Sequence, residues 1–301
     1  MTSLLKGLLL AVAALVAVPA QAALNVVTCE PEWAALAKEL GGDKVNVSST
    51  TTALQDPHHI EARPSLIARM RNADLLVCTG MELEIGWLPL LVQQSGNSRL
   101  AAGAPANFEA GRFVTPLEVP TRVDRSEGDV HAAGNPHIQL DPRNIGRIAT
   151  ALAARLAQVD AANAATYQQR LASFSTRWSE ATRKWEQEAQ PLRGMPVVAH
   201  HKNMTYLWNW LGVREVATLQ PKPGVEPSGG YLSELNARLA QQPAKLVVRG
   251  AYEDPRASQW LSEHARIPAV VLPFTVGGND KASDLFGLFD SSIELLLGAA
   301  K

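Results

Sequence analysis

The sequence is poor in cysteine, in excess charge and in long apolar stretches. Only 2 of its 301 residues are cysteine, which makes a zinc site built from several thiolates improbable. The formal net charge is −1, so no basic surface for nucleic acid is expected. The chain also lacks an HExxH motif, a CxxC motif and a glycine-rich phosphate loop. Nothing in the sequence therefore indicates a metalloprotease or a nucleotide-binding protein.

The N-terminus has the pattern of an export signal. Lys6 precedes an apolar run over residues 7–18, and Pro19 and the sequence Ala-Gln-Ala at residues 20–22 follow. The apolar run is shorter than the about 20 residues that cross a bilayer. We therefore predict that residues 1–22 are a signal peptide and that the mature chain is secreted, in bacteria to the periplasm. An uncleaved membrane anchor is the alternative, and no later stretch is apolar enough to span a membrane.

The two cysteines end similar apolar runs. Cys29 follows residues 24–28 and Cys78 follows residues 74–77. If these runs are neighbouring parallel strands, both sulfur atoms lie at the same edge of a sheet. An oxidising compartment then favours a disulfide, with two buried free thiols as the alternative.

Short apolar runs alternate with helical patterns along most of the chain, which predicts parallel sheets with helical crossovers. Residues 82–93 are predicted to be helical and residues 105–130 a loop. Near the middle, a helical pattern runs from about residue 161 to 188, in which apolar residues, several of them aromatic, recur every three to four positions and predict one long helix. We therefore predict an α/β fold of two similar lobes, each a parallel sheet flanked by helices, joined by one long backbone helix. The expected divisions are residues 1–22 for the signal peptide, 23–160 for the N-terminal lobe, 161–190 for the linking helix and 191–301 for the C-terminal lobe.

Histidines are concentrated in three segments. Six of the seven lie in or beside them, namely His58, His59, His131, His137, His200 and His201. In open α/β sheets, ligands bind beyond the carboxyl ends of strands. His58, His201 and Asp280 all follow predicted strands, and His137 lies in a loop before a helix. Three neutral imidazoles and one carboxylate suit a four-coordinate Zn²⁺, although unrelated histidines remain the alternative.

Four segments resemble a known family. They are DPHHIEARPS at residues 56–65, NPHIQLDP at 135–142, VVAHHKNMTYL at 197–207 and EPS at 226–228. Together they make the mature chain similar, over essentially its whole length, to the periplasmic metal-binding proteins that serve zinc and manganese ABC transporters. Three features depart from that family: the usual aspartate after the last strand is missing, residues 105–131 contain a short acidic stretch instead of a histidine-rich insert, and Ala62 and Arg63 replace part of a rigid E-P-x-P motif.

The resemblance implies a single metal ion held between two lobes. The implied ligands are His58, His137, His201 and a carboxylate from the loop between residues 272 and 285, for which we choose Asp280. Asp284 or a water molecule is the alternative fourth ligand. Manganese-type relatives have a carboxylate at the position of His201, and nitrogen-rich ligation favours zinc.

The resemblance further implies an extracytoplasmic solute-binding protein that captures Zn²⁺, delivers it to a membrane ABC permease and catalyses no reaction. A periplasmic zinc chaperone is a further candidate partner, nucleic acid is not, and a monomer is expected. Two alternatives remain: a manganese-binding relative, and a secreted zinc hydrolase with Glu61 or Glu226 as general base. His131 is interpreted as a residue of a solvated loop, with zinc capture as the alternative.

Overall fold

The computed structural model describes residues 22–124, 126 and 128–301, so the predicted signal peptide lies almost wholly outside the described residues. Within this part the chain forms eight strands and nine α-helices. The strands are β1 (Leu24–Thr28), β2 (Val45–Ser49), β3 (Leu75–Cys78), β4 (Asn107–Glu109), β5 (Pro196–Ala199), β6 (Arg214–Thr218), β7 (Leu246–Gly250) and β8 (Ala269–Leu272). The helices are α1 (Pro31–Gly41), α2 (Pro64–Arg71), α3 (Leu88–Ser95), α4 (Pro142–Val159), α5 (Ala164–Glu188), α6 (Thr205–Leu211), α7 (Gly229–Leu239), α8 (Pro255–Ala265) and α9 (Leu285–Ala299).

The strands form two parallel sheets of the same topology. The first has the order β2-β1-β3-β4 and the second the order β6-β5-β7-β8, and helices flank both. The prediction of two similar α/β lobes is therefore confirmed. Because all strands of a sheet run the same way, the loops that follow them gather at one edge, where such folds bind ligands.

Helix α5 connects the two lobes. Its 25 residues extend over about 38 Å at 1.5 Å per residue. One face of the helix is buried, through Tyr167, Phe174, Trp178 and Trp185. This face packs on α1 and α4 from the first half of the chain and on α9 from the second. A single apolar core therefore runs from the first sheet through α5 to the second.

Two local predictions were wrong. The helix predicted over residues 82–93 begins only at Leu88, because Gly80, Met81 and Glu82 all have positive φ angles of 74°, 55° and 68°, which no right-handed helix contains. Strand β4 lies in the predicted loop over residues 105–130, where Phe108 is buried against the first sheet. A three-residue strand is too short to show the alternation by which strands are recognised.

Cys29 and Cys78 form a disulfide, as predicted, and their Cα atoms are 4.8 Å apart. The cysteines lie at the ends of the neighbouring strands β1 and β3, so the bond joins two loops at the carboxyl edge of the first sheet. In the described residues, no helix combines the length and apolar character that a membrane span requires.

Candidate metal centre

His58 lies in the loop after β2 and is held in one orientation. Trp87 Nε1 donates a hydrogen bond of 2.8 Å to the carbonyl of Pro57, which fixes the loop. Asp56 Oδ1 accepts from the His58 backbone N–H at 2.9 Å and lies 2.7 Å from its Nδ1. Burial opposes ionisation of Asp56, but the hydrogen bonds from His58 outweigh it and lower the pKa of that carboxyl. A carboxylate only accepts, so Nδ1 of His58 carries the proton and Nε2 presents its lone pair.

His201 is oriented in the same way from the other lobe. It follows β5, and its Nδ1 lies 2.8 Å from Oε1 of Gln220. That oxygen also accepts from the Gly224 N–H at 2.9 Å, and Gln220 Nε2 donates to Glu226 at 3.3 Å, so the amide orientation is defined. Nδ1 of His201 is therefore the donor, and Nε2 is left with a free lone pair.

His137 lies beside both of them and is the most deeply buried of the three, with an exposed fraction of 1%. Its backbone N–H donates to Asn135 Oδ1 at 3.0 Å, which positions the residue at the start of its short helical turn. Neither of its ring nitrogens has a hydrogen-bond partner among the described residues. Leaving a buried polar atom without a partner costs about 1–3 kcal/mol. The His137 ring therefore gains stability if a ligand from outside the protein binds one of its nitrogens.

The structure brings these three predicted ligands together. One nitrogen from each of His58, His137 and His201 lies within 4.8 Å of the other two, and all three residues are buried. Their ring centroids are 5.3 to 5.9 Å apart, in edge-to-face arrangements. A second cluster, of Cys29, Cys78 and Glu84, offers no thiolate because its cysteines are bonded to each other.

The predicted carboxylate ligands are not part of this group. Asp280 is exposed, and Asp284 is exposed and caps α9 by accepting from the Gly287 N–H at 2.7 Å. Asp280 as the fourth ligand therefore stays a prediction.

The imidazoles of His137 and His201 lie in an environment that keeps them neutral. Burial, together with the neighbouring imidazoles, holds the pKa of His137 well below its ordinary value. Burial, followed by the charge of His58, lowers the pKa of His201 to about 4. Neutral imidazoles at neutral pH have free lone pairs, so a cation does not have to displace protons from them. The donor set fits a zinc ion with three nitrogen ligands and an open fourth position.

His131 is a site residue that sequence reasoning placed in a solvated loop. It is half-buried, and its Nε2 lies 3.3 Å from Nε2 of His58, with the two rings stacked at 5.3 Å. Burial lowers its pKa to about 4. Together with His137 and His201 it lines a cavity of about 220 Å³. The only signal in the sequence was that His131 lies six positions before His137.

The remaining histidines of the three segments do not join the group. His59 is exposed. His200 is buried, and its Nε2 lies 3.5 Å from Glu226 Oε1. Adjacent side chains diverge, and in each pair only one histidine belongs to the cluster of three.

Two similar α/β lobes, a long connecting helix and a cluster of buried imidazoles between the lobes define a class of protein: the metal-binding solute-binding components of ABC transporters. The family model described as "Zinc-uptake complex component A periplasmic" (ZnuA) matches residues 26–299, and the chain belongs to this family. Members of the family are substrate-binding proteins of transporters, so the chain is not an enzyme. The alternative of a secreted hydrolase is not supported.

Relatives with known names are similar over most of the chain. The manganese ABC transporter substrate-binding lipoprotein PsaA of Streptococcus pneumoniae is 25% identical over 262 residues, which cover 84% of this chain and 80% of PsaA. The high-affinity zinc uptake system protein ZnuA of Yersinia pestis is 25% identical over 209 residues, 64% of each chain. A crystal structure of ZnuA superposes with a TM-score of 0.75 at 22% identity, covering 93% of this chain and all of that one, which establishes the shared fold. These two relatives, one named for manganese and one for zinc, are each 25% identical to this chain, so their identity does not distinguish the two ions.

Proposed function

We propose that this protein captures Zn²⁺ between its two lobes and delivers it to a membrane ABC permease. The observation that carries the proposal is the environment of His137. Its ring is buried beside two imidazoles, and neither nitrogen has a partner among the described residues. A zinc ion bound there turns an unfavourable buried group into a ligand.

Zinc is favoured over manganese by the type of ligand. Imidazole nitrogen suits zinc, whereas manganese prefers carboxylate, carbonyl and water oxygens. The three clustered ligands are all nitrogen donors, and in the described residues no carboxylate joins them. Manganese remains the second candidate, because PsaA, a relative of similar identity, is named for that ion.

The orienting residues prepare the site before the ion arrives. Asp56 fixes the His58 ring and Gln220 fixes the His201 ring, so that Nε2 of each ring is left to bind the ion. Groups of this kind select the tautomer of the ligand and raise its basicity. Asp56 and Gln220 belong to different lobes. Binding of one ion by both His58 and His201 therefore requires the two lobes to keep the same relative position.

The cellular setting that we propose follows from the export signal. Residues 1–22 are removed, and the mature chain works in the periplasm as a monomer. Its partner is a membrane ABC permease, and a periplasmic zinc chaperone is a candidate donor of the ion.

The test is a zinc titration of the chelator-stripped mature protein and of three variants, His58→Ala, His137→Ala and His201→Ala. The exposed His264→Ala serves as the matched control. We expect one tightly bound zinc in the wild type and in the control, and affinity at least about 100-fold weaker in each of the three variants. Unchanged affinity in all three variants would mean that zinc binds elsewhere and that the proposal is wrong.

A further inference from the structure

We propose that His131 is the fourth zinc ligand, so that the loaded site consists of four imidazoles rather than three imidazoles and a carboxylate. This inference rests on the proposed function, because it names a ligand of the same ion. It assigns a role to the loop at residues 128–134, which lies across the cavity between the lobes.

The first argument is the distance between two nitrogen atoms. His131 Nε2 and His58 Nε2 are 3.3 Å apart. Two nitrogen ligands at about 2.0–2.1 Å from a tetrahedral zinc ion are separated by roughly 3.3–3.4 Å. The two nitrogens are therefore already spaced as neighbouring ligands of one ion, and the two rings are stacked with their centroids 5.3 Å apart.

The second argument concerns the proton between these atoms. In the neutral imidazole, His58 donates a hydrogen bond from Nδ1 to Asp56, and its Nε2 is then an acceptor. Without zinc, the contact requires His131 to donate from Nε2. When zinc takes the lone pair of His58, His131 must move its proton from Nε2 to Nδ1, and its own Nε2 lone pair then faces the ion. This tautomer change neither takes up nor releases a proton.

The third argument is that the loop is attached to both lobes. The Ala132 N–H donates to Glu82 Oε2 at 2.6 Å in the first lobe, and the Asp129 N–H donates to the carbonyl of Pro223 at 3.0 Å in the second. Gly128 allows the second contact, because a Cβ at this position would lie 2.1 Å from the Pro223 oxygen. Since both anchors flank His131, its ring is positioned over the cavity.

The loop must still move for all four nitrogens to meet. His131 is not a member of the group whose donor atoms lie mutually within 4.8 Å, although it contacts His58 directly. Zinc binding therefore draws residues 128–134 inward toward His137 and His201. Asp280, the competing fourth ligand, is exposed and has no such contact with a histidine of the site among the described residues.

The test is long-range proton–nitrogen NMR of the mature chain with ¹⁵N-labelled histidine, recorded before and after one equivalent of zinc. Substitution His131→Gln assigns the resonance, and exposed His264→Ala is the control. We expect four zinc-bound Nε2 atoms in the wild type, a proton on Nδ1 of His131, and three bound atoms in His131→Gln with about 100-fold weaker zinc affinity.

Other outcomes separate this inference from the proposed function. If the wild type binds zinc tightly through three imidazoles, and the His131 resonances do not change, the inference is wrong. In that case a loss of affinity in Asp280→Asn identifies the carboxylate as the fourth ligand. If the wild type shows no tightly bound zinc, the proposed function itself fails, and the inference fails with it.

Discussion

At the scale of single residues, the site is defined as much by its hydrogen-bond partners as by its histidines. The sequence was sufficient to predict that His58, His137 and His201 lie together, because each lies in a distinctive segment and follows a predicted strand or precedes a predicted helix. It could not reveal Asp56 and Gln220 as orienting groups. Gln220 is 19 positions from the ring that it holds, and that contact exists only in the folded chain.

The role of Asp56 gives a direct prediction. Asp56→Ala removes the acceptor of two hydrogen bonds from His58 and frees its ring to rotate or to change tautomer. We expect zinc affinity to fall by about 10–100-fold, as is typical for a group that orients a ligand. Asp56→Asn keeps an acceptor oxygen and should lose less. Competition with a chromophoric chelator measures both, and equal affinity in wild type and Asp56→Ala would show that the orienting role is absent.

Glu253 gives a prediction about pH. Burial raises the pKa of this carboxyl from 4.5 to about 8, against the opposing effect of the Gly250 N–H. At a pH between these two pKa values, Glu253 is deprotonated in the unfolded chain but still protonated in the folded chain. The free energy of unfolding therefore falls as the pH rises. The loss amounts to about 3 kcal/mol between pH 4.5 and pH 7.

Glu253→Gln removes this titration. Urea unfolding of wild type and variant at a series of pH values should show the variant gaining in relative free energy of unfolding as the pH rises from 4.5 to 7. A difference that does not change with pH would contradict the raised pKa.

At the scale of elements, the hydrophobic pattern predicted most of the strands and helices, and the positions of the two cysteines together with the export signal predicted the disulfide. It failed at residues 82–87, where left-handed backbone at Met81 and Glu82 replaces a helical turn. Glu84 stabilises that turn by accepting backbone N–H groups of Thr79 and Gly80. Such a turn depends on a buried carboxylate, and the spacing of apolar residues gives no sign of it.

The disulfide ties the loops after β1 and β3 and closes a segment with a sequence separation of 49 residues. A cross-link of this kind restricts the unfolded chain, typically by about 2–4 kcal/mol. The double variant Cys29→Ala, Cys78→Ala should therefore lose this amount in the free energy of unfolding. Denaturant titration measures it, with the wild type in reducing buffer as a control that should match the variant. No loss in either sample would mean that the bond does not contribute to stability.

At the scale of the whole molecule, the two lobes behave as one packed unit. The apolar core continues from Trp33 in the first lobe along α5 to Leu285 in the second. Polar contacts also join the lobes at the site, including Gln139 Nε2 to the Phe274 carbonyl at 3.3 Å and Lys202 Nζ to Glu118 at 2.6 Å. A hinge that opened widely would break this core, so we expect a metal ion to enter and leave by loop movement rather than by separation of the lobes.

This rigidity predicts that the radius of gyration hardly changes when zinc binds. Small-angle X-ray scattering of the mature protein, chelator-stripped and zinc-loaded at the same concentration, should give nearly superimposable profiles. A large decrease in the radius of gyration on loading would show hinge closure and would refute the rigid arrangement.

The central claim is that the three clustered histidines form a zinc site, and metal competition on the chelator-stripped mature protein tests it most directly. Equimolar zinc and manganese are offered together, and the bound metal is quantified after removal of the free ions. The account predicts one zinc per chain and almost no manganese, because the clustered ligands are imidazole nitrogens. One bound manganese that zinc fails to displace would contradict it.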